Sequence, residues 1–407
     1  MNNLWSDDLE NSFNDMVEWR RYLHQHPELS FQETQTSAFI LEKLKSFGIT
    51  DIKTHVGGYG IVARIHGAKP GLTVALRADF DALPINEETD VPYKSKVPNV
   101  MHACGHDGHT STLLGVARVI QEHRDELVGD VVLIHQPAEE YPPGGAQAMI
   151  KDGCLDDVDL VFGAHLWSTI PFGTIGYRKG YFMAAADYIK INIQGKGGHG
   201  SAPQLSIDSV AVASQVVNQL QMIVSRTVDP QKAAVVTIGQ FHAGVAPNVI
   251  ADTAVLEGTV RTFDPAVREQ IKKELSSIVE NVCVAFHAQG EVVYQEGYPA
   301  VYNHEKETDV FKKVMGQTFG EDAAVEIAPQ MGGEDFAHFL LKKPGMFWFS
   351  GAGNPETGAV YPHHHPKFNV DERVMLTAGK AFLAMVREYL CADERPELSQ
   401  NIALGNQ

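Results

Sequence analysis

The sequence has few cysteines and no cluster of basic residues. Four cysteines occur among 407 residues, and none of them forms a Cys-x-x-Cys pair. This number is too low for a disulfide-stabilised scaffold. Lys and Arg total 33 against 51 Asp and Glu, which gives a formal net charge of −18. A chain this acidic repels phosphate backbones, so we expect no nucleic-acid partner.

Long hydrophobic runs are also missing. The apolar stretches have the length of strands and stay well short of the ~20 residues that a membrane-spanning helix needs. Residues 1–21 are acidic and lack an apolar core, so no secretory signal is expected there. We therefore expect a soluble, cytoplasmic protein with reduced cysteines and no membrane partner.

Strand-like and helix-like segments alternate along most of the chain. Short runs rich in β-branched and other apolar residues at 72–76, 130–135 and 160–165 predict strands, and an amphipathic stretch at about 110–126 predicts a helix. Such alternation is typical of an α/β fold, in which a mostly parallel sheet is flanked by helices.

A middle segment departs from this alternation. Residues 185–296 contain strands of alternating polarity and two amphipathic helices in the order βαββαβ, which is typical of a compact α+β unit of the split βαβ kind. The α/β pattern resumes after it, so we expect an inserted domain. The predicted organisation is one α/β domain in two parts, 1–184 and 297–407, interrupted by the insert at 185–296.

Residue types that bind metals follow several of the predicted strands. In open parallel sheets, ligands bind beyond the carboxyl ends of the strands. Thiolates, imidazoles and carboxylates together suit zinc, manganese and related divalent ions. The candidates, taken in chain order, are Asp79, Asp81, Cys104, His106, Glu139, Glu140, His165 and the run His363, His364 and His365.

Each of these features has an ordinary structural explanation when taken alone. Asp79 and Asp81 could cap a turn, adjacent glutamates are usually solvated, and His165 could be a hydrogen-bonded core residue. If Glu140 binds a metal ion, however, its neighbour Glu139 can point at the metal's water, as a general base must. Asp79, Asp81, Glu139, Glu140 and His165 are expected at or after strand ends, and Cys104 and His106 just before a helix. Their joint placement at one edge of the sheet favours a metal site over five independent coincidences.

The motifs HQHPELSFQE, RADFDALPI, MHACGHDGHT, HQPAEE, GAHLW, GGHGSAP, GVAPNVI, GTVRTF, GGEDF and HHPKFNVDE occur in this order between residues 24 and 372. In these motifs the chain resembles the metal-dependent aminoacylase and carboxypeptidase-type amidohydrolases. The resemblance is closest to the branch that holds hippurate hydrolases and plant auxin–amino acid conjugate hydrolases, and it covers nearly the whole chain.

The resemblance implies two divalent metal ions per subunit, zinc or manganese, with cobalt and nickel as further candidates. It implies that the α/β domain is catalytic and that the insert is a lid that also mediates dimerisation. Asp79 is left out of the implied ligand set. The implied roles are metal binding by Cys104, His106, Glu140, His165 and His364, general base for Glu139, ligand orientation for Asp81, carbonyl polarisation for His199, and substrate-carboxylate binding for Asn248 and Arg261.

The chain departs from the family pattern after Glu140, where Tyr141, Pro142 and Pro143 precede a glycine-rich turn. This departure leaves the acyl group and the amino acid of the substrate open. The expected activity is hydrolysis of small N-acyl amino acids by a homo-oligomer, most simply a homodimer. The alternatives are a carboxypeptidase or dipeptidase acting on short peptides, and a catalytically silent metal- or amino-acid-binding protein.

Overall fold

A computed structural model describes residues 4–392 and 395–399 of the chain. The chain divides into two compact units. The first contains the residues up to Phe182, Tyr302–Ala328 and the residues from Asp335 onward, and the second contains Met183–Val301 and Pro329–Glu334. The predicted insert, 185–296, lies within the second unit.

Helices and strands alternate through much of the chain. The helices are α1 (Leu4–Asn11), α2 (Phe13–Gln25), α3 (Thr34–Ser46), α4 (His106–Glu122), α5 (Ala146–Lys151), α6 (Ser209–Met222), α7 (Pro265–Ala285), α8 (Glu305–Phe319), α9 (Ala337–Leu340) and α10 (Val374–Leu390). The strands are β1 (Asp51–Val56), β2 (Gly60–His66), β3 (Lys69–Asp79), β4 (Val128–Gln136), β5 (Leu160–Pro171), β6 (Ile175–Tyr177), β7 (Gly180–Met183), β8 (Ala185–Gln194), β9 (Gly198–His199), β10 (Ala234–Ala243), β11 (Val249–Ile250), β12 (Thr253–Thr262), β13 (Gln289–Tyr298), β14 (Val301–Asn303), β15 (Ala324–Glu326) and β16 (Gly345–Gly353).

The first unit is built on an eight-stranded sheet in the order β1-β2-β4-β3-β5-β16-β6-β15. Its four central strands, β4, β3, β5 and β16, are parallel to one another. Antiparallel pairs occur towards the sides, where β2 joins β4 and β6 joins β16. The predicted α/β fold with a mostly parallel sheet is therefore confirmed, with antiparallel strands added outside the parallel centre.

The centre of this sheet is buried because its strands carry apolar side chains on both faces. On one face of β3, Val74, Leu76 and Ala78 belong to one continuous core, and Ala75 on the opposite face is also fully buried. Helices α4 and α10 pack against the sheet and against each other, as expected for parallel strands covered by helices. This arrangement holds the carboxyl ends of β3, β4 and β5 in fixed positions at one edge of the sheet.

The second unit has its own sheet and its own apolar core. Strands β10, β12, β8 and β13 form a four-stranded antiparallel sheet in that order, and α6 and α7 pack on it. The chain order of these main elements is the predicted βαββαβ. Asp208 and Asp264 begin the two helices by accepting backbone N–H groups of the first turn, which is the usual role of an N-cap aspartate.

Helix α4 begins earlier than the pattern suggested. The apolar periodicity placed its start near 110, whereas the helix begins at His106. The polar segment His106–Thr110 resembles a loop in composition, yet all of it is buried. Gly105 precedes it with φ +91°, a left-handed conformation that glycine adopts without strain. In residues 4–392 and 395–399, no helix has both the length and the apolar character needed to cross a membrane.

Candidate metal centre

The carboxyl ends of three central strands bring the candidate ligands together. Asp79 ends β3 beside Gln136 of β4, and His165 lies in β5. The start of α4 brings a fourth segment to the same place. Three overlapping groups of these candidates have ligand atoms within 4.8 Å of one another, and these are Cys104, His106 and His165; Cys104, Glu140 and His364; and His106, Glu139 and Glu140. Asp79, His106 and His109 form a further group of this kind.

Cys104 and His165 form one side of this site. The Cys104 Sγ atom lies 3.4 Å from Nε2 of His165. On the other side of the imidazole, Nδ1 donates to the carbonyl of Leu166 at 3.0 Å. This bond keeps the proton on Nδ1 and leaves the lone pair of Nε2 directed towards the thiol. Such a tautomer is the one required of a metal-binding histidine.

His106 is fixed in the same manner by Asp81. Its Nδ1 lies 3.1 Å from Oδ1 of Asp81 and 3.0 Å from the carbonyl oxygen of the same residue. Its Nε2 is buried, 3.8 Å from Oε1 of Glu140, and among the described residues neither atom has a hydrogen-bond partner. Buried polar atoms normally have partners, so this pair fits a cation held between them.

The charges around the site also favour a cation. Burial acts to lower the pKa of His106, but the carboxylates of Asp79, Asp81 and Glu140 outweigh it and raise that pKa to about 10. Burial, together with the nearby glutamates, raises the pKa of the Cys104 thiol. The His106 shift reflects the negative charge of the nearby carboxylates, whereas the Cys104 shift reflects mainly burial. A divalent ion bound there would neutralise the negative charge and promote the thiolate.

The three consecutive histidines occupy different environments. His364 has φ +64°, and its Nε2 lies 3.3 Å from Oε2 of Glu140. His363 is engaged elsewhere, because its Nε2 donates to the carbonyl of Leu166. His365 accepts a backbone N–H at Nδ1 and stacks on Tyr361. Of the three, only His364 belongs to a cluster of potential ligands among the described residues.

Asp79 lies close to the site but is occupied by other partners. Its Oδ1 accepts from Nδ1 of His109 at 2.6 Å, and its Oδ2 accepts from Arg77 at 2.6 Å. Burial acts to raise its pKa, yet Arg77 and the two histidines, His106 and His109, hold the pKa of Asp79 well below its usual range. Asp79 is therefore held as a carboxylate by Arg77 and His109, next to the candidate ligands.

Sequence reasoning missed the buried charges that surround this site. Arg77 also donates to Asp335 at 2.9 Å, a residue 258 positions later in the chain. In the first turn of α4, Asp107 accepts from Arg20 at 3.1 Å and from His24 at 2.9 Å. One signal was available, because an arginine within the apolar strand sequence LTVALRAD must find an anionic partner when that strand is buried.

Glu139 is also buried, with 6% of its surface exposed. It follows Ala138, whose φ of +54° turns the chain sharply after β4. The backbone N–H of Glu140 donates to Oδ2 of Asp81 at 3.0 Å. Tyr141, the first residue of the departure noted in the sequence, is 67% exposed.

The remaining candidate residues lie in the second unit. His199 ends β9, which pairs with β11, and the N–H of Gly200 donates to the carbonyl of Asn248 at 2.8 Å. The backbone N–H of Ser201 donates to Nδ1 of His199 at 3.2 Å. A neutral His199 therefore carries its proton on Nε2. Arg261 lies in β12, opposite Ala186 of β8.

The comparisons with known proteins agree with this geometry. The family model for peptidase family M20/M25/M40 matches residues 75–388. The protein YhaA of Bacillus subtilis, which carries an amidohydrolase name, is 52% identical over 381 residues, covering 94% of this chain and 96% of YhaA. The N-acetyl-L-cysteine deacetylase of the same organism is 41% identical over 384 residues, covering 93% and 89%.

A solved structure of a member of the same family is also similar to this chain. The YxeP protein of Bacillus subtilis, described as a dinuclear metal-binding peptidase of the M20 family, superposes with a TM-score of 0.81 at 35% identity, covering 93% of this chain and 98% of that protein. The similarity to these proteins, in sequence and in fold, extends over nearly the whole chain. The protein is a hydrolytic enzyme that belongs to peptidase family M20/M25/M40, a family that includes dinuclear metal-binding members.

Proposed function

We propose that this enzyme hydrolyses the amide bond of N-acyl amino acids, with Glu139 as the general base beside a pair of divalent metal ions. The observation that carries the proposal is the buried position of Glu139 in one cluster with His106 and Glu140. A carboxylate in that place can reach a water molecule held at the metal centre.

The residues that would hold the ions are Cys104, His106, Glu140, His165 and His364. Bound there, a metal pair supplies Lewis acidity and lowers the pKa of a bound water to about 7. The thiolate and imidazoles suit zinc, and the carboxylate also admits manganese. Asp81 orients His106 through Nδ1, so that Nε2 faces the site.

Glu139 moves the proton in the proposed reaction. Its carboxylate takes a proton from the attacking water and returns it to the nitrogen of the leaving amino acid as the amide bond breaks. Its low exposure limits competing contact with bulk water. This acid–base transfer requires one carboxylate that is close to the metal centre without being needed as a ligand.

The second unit contributes the residues that recognise the substrate in this proposal. The Nε2–H of His199, fixed by the bond from Ser201 to Nδ1, donates to the carbonyl oxygen as negative charge develops on it. Asn248 and Arg261 bind the substrate carboxylate. The relative that acts as an N-acetyl-L-cysteine deacetylase supports a small N-acyl amino acid as the substrate class.

A second candidate activity is the removal of a carboxyl-terminal residue from short peptides at the same site. The matching family is described as a peptidase family, and the YxeP protein as a peptidase of that family. These descriptions support peptide cleavage as the alternative activity. We also propose that the active form is a homodimer joined through the second unit. Light scattering on the purified protein tests that assembly directly.

One experiment separates the two activities. The protein is stripped of metal, reloaded in parallel with zinc, manganese, cobalt or nickel, and assayed on benzoyl-glycine, acetyl-amino acids and a set of dipeptides. We expect about two ions per chain and preferential cleavage of the acyl amino acids. Preferential cleavage of dipeptides would establish the peptidase activity instead, and a protein that binds no metal would refute both.

A further inference from the structure

The turn that carries Glu139 is held by a buried carboxylate on each side. After Glu139, the N–H of Glu140 donates to Asp81 at 3.0 Å. Before it, the N–H of Ala138 donates to Oε1 of Glu33 at 2.8 Å. Glu33 comes from the segment between α2 and α3, 105 positions earlier in the chain.

The contact at Ala138 fixes an unusual backbone conformation. Ala138 is fully buried and has φ +54°, in the left-handed region that residues with a Cβ atom seldom adopt. A buried N–H at such a position must be matched by an acceptor. Glu33 provides that acceptor, so the direction in which the chain leaves Ala138 and enters Glu139 depends on it.

Capping of α3 does not explain the burial of Glu33, whose carboxyl group also receives backbone hydrogen bonds from Glu33 itself and from Phe31. It precedes α3, but its side chain makes no capping bond to that helix. Glu28 makes those bonds instead, accepting from the N–H groups of Gln35 at 3.1 Å and Thr36 at 2.8 Å. The side chain of Glu33 is nevertheless inaccessible to solvent, and its Oε2 atom has no hydrogen-bond partner among the described residues.

The environment makes this burial costly. Burial, followed by the nearby charge of Asp81, raises the pKa of Glu33 to about 7. The carboxyl group of Glu33 is therefore buried where its ionisation is unfavourable, and it is bonded to the turn before the proposed general base. Holding that turn explains its position, whereas capping of α3 does not.

We propose that Glu33 is a positioning residue that sets the backbone before Glu139 and thereby aims the Glu139 carboxylate. The inference rests on the proposed function, since it assigns Glu139 the role of base. Glu33 acts through the N–H of Ala138 and touches neither substrate nor metal. It is the counterpart of Asp81, which holds the residue after Glu139.

The test compares Glu33→Ala, Glu33→Gln and Glu33→Asp with Glu28→Ala as the matched control. The glutamine variant keeps an oxygen that can accept from Ala138. The aspartate variant keeps the carboxyl group but is one methylene too short to reach Ala138. It is the substitute if the alanine variant fails to fold. Glu28→Ala disturbs the start of α3 through a carboxylate of the same segment without touching the turn.

Two readouts are measured on each variant. The first is hydrogen–deuterium exchange of the peptide that covers residues 133–141 in metal-free protein, and the second is kcat and KM for an N-acyl amino acid at full metal occupancy. We expect Glu33→Ala and Glu33→Asp to exchange faster in that peptide and to lose about 10- to 100-fold in kcat, with KM changed less than about three-fold. Glu33→Gln should retain most of both properties, and Glu28→Ala should change neither.

The inference is overturned if exchange in this peptide and kcat stay at wild-type values in Glu33→Ala or Glu33→Asp. It is equally overturned if Glu28→Ala reproduces their effects. If the wild-type enzyme cleaves no N-acyl amino acid, the proposed function has failed. The exchange measurement then still decides whether Glu33 holds the turn.

Discussion

The carboxylate of Asp81 lies 3.1 Å from Nδ1 of His106, and the same carboxylate accepts the backbone N–H of Glu140 at 3.0 Å. One buried side chain therefore orients the imidazole of one proposed metal ligand and fixes the backbone of a second. Ser30 donates to the same oxygen as Glu140 at 2.7 Å. Burial acts to raise the pKa of Asp81, but these contacts, led by His106, lower it.

Asp81→Asn should weaken metal binding. The neutral amide removes a negative charge and directs an N–H₂ group at one of the donors that now face the carboxylate. We expect metal affinity to fall about 10- to 100-fold, in the range seen when a partner that orients a ligand is lost. Competition with a fluorescent chelator measures it.

The control for this variant is Asp130→Asn, because Asp130 also bonds a histidine, His66, but does so on an exposed part of the first unit. Its metal affinity should match that of the wild-type protein. Unchanged affinity in Asp81→Asn would show that Asp81 is not needed to orient the ligands.

His364→Ala should reduce the metal content towards one ion per chain. The reason is that its Nε2 faces Glu140 at 3.3 Å, whereas its neighbour His365 is engaged by Lys367 and Tyr361. His365→Ala is therefore the matched control and should keep both ions. Elemental analysis of the two purified variants measures their metal content. Loss of an ion in His365→Ala but not in His364→Ala would show that His365 is the ligand.

His135→Leu should reduce the acid sensitivity of the fold. His135 is fully buried in β4, and neither ring nitrogen has a hydrogen-bond partner among the described residues. Burial lowers its pKa from 6.5 to about 3. Below pH 6.5, His135 binds a proton in the unfolded chain but stays neutral in the folded chain. The stability that is present above that pH is therefore lost as the pH falls towards 3.

At about 1.4 kcal/mol per pH unit, this single residue costs roughly 2 kcal/mol between pH 6.5 and about pH 5. Urea titrations of metal-free protein at about pH 7.5 and about pH 5 should therefore show a smaller loss in free energy of unfolding for His135→Leu than for wild type. His242→Gln, at an exposed histidine of β10, should behave as wild type. Equal losses in all three proteins would contradict the prediction.

The sequence predicted the parts of the structure that depend on local pattern. Period-two and period-3.6 hydrophobicity located the strands and helices. The strand-end rule predicted Glu140 and His165 at one edge of a sheet, and the start of the following helix predicted Cys104 and His106 at the same edge. The choice of His364 came from the family resemblance, because the three adjacent histidines are equivalent as letters. In the structure, the backbone at 363–365 sends each ring in a different direction.

The contacts between distant segments could not be predicted. Arg77 of β3 donates to Asp335, which lies just before α9. The sequence indicated that Arg77 needs an anionic partner, but no local pattern identified that partner as Asp335. The same holds for Glu33 and Ala138, which the tertiary fold alone brings to 2.8 Å. The apolar periodicity did not predict the start of α4 at His106, because the first turn of this helix consists of buried residues that are mostly polar.

The most direct test of Glu139 as the general base is the turnover of Glu139→Gln. The substitution keeps the size of the side chain and removes its basicity, so metal content should stay at the wild-type value and so should KM. We expect kcat for an N-acyl amino acid to fall by about 10²- to 10⁴-fold. A variant with full metal content and near-normal kcat would contradict the assignment of Glu139 as the general base.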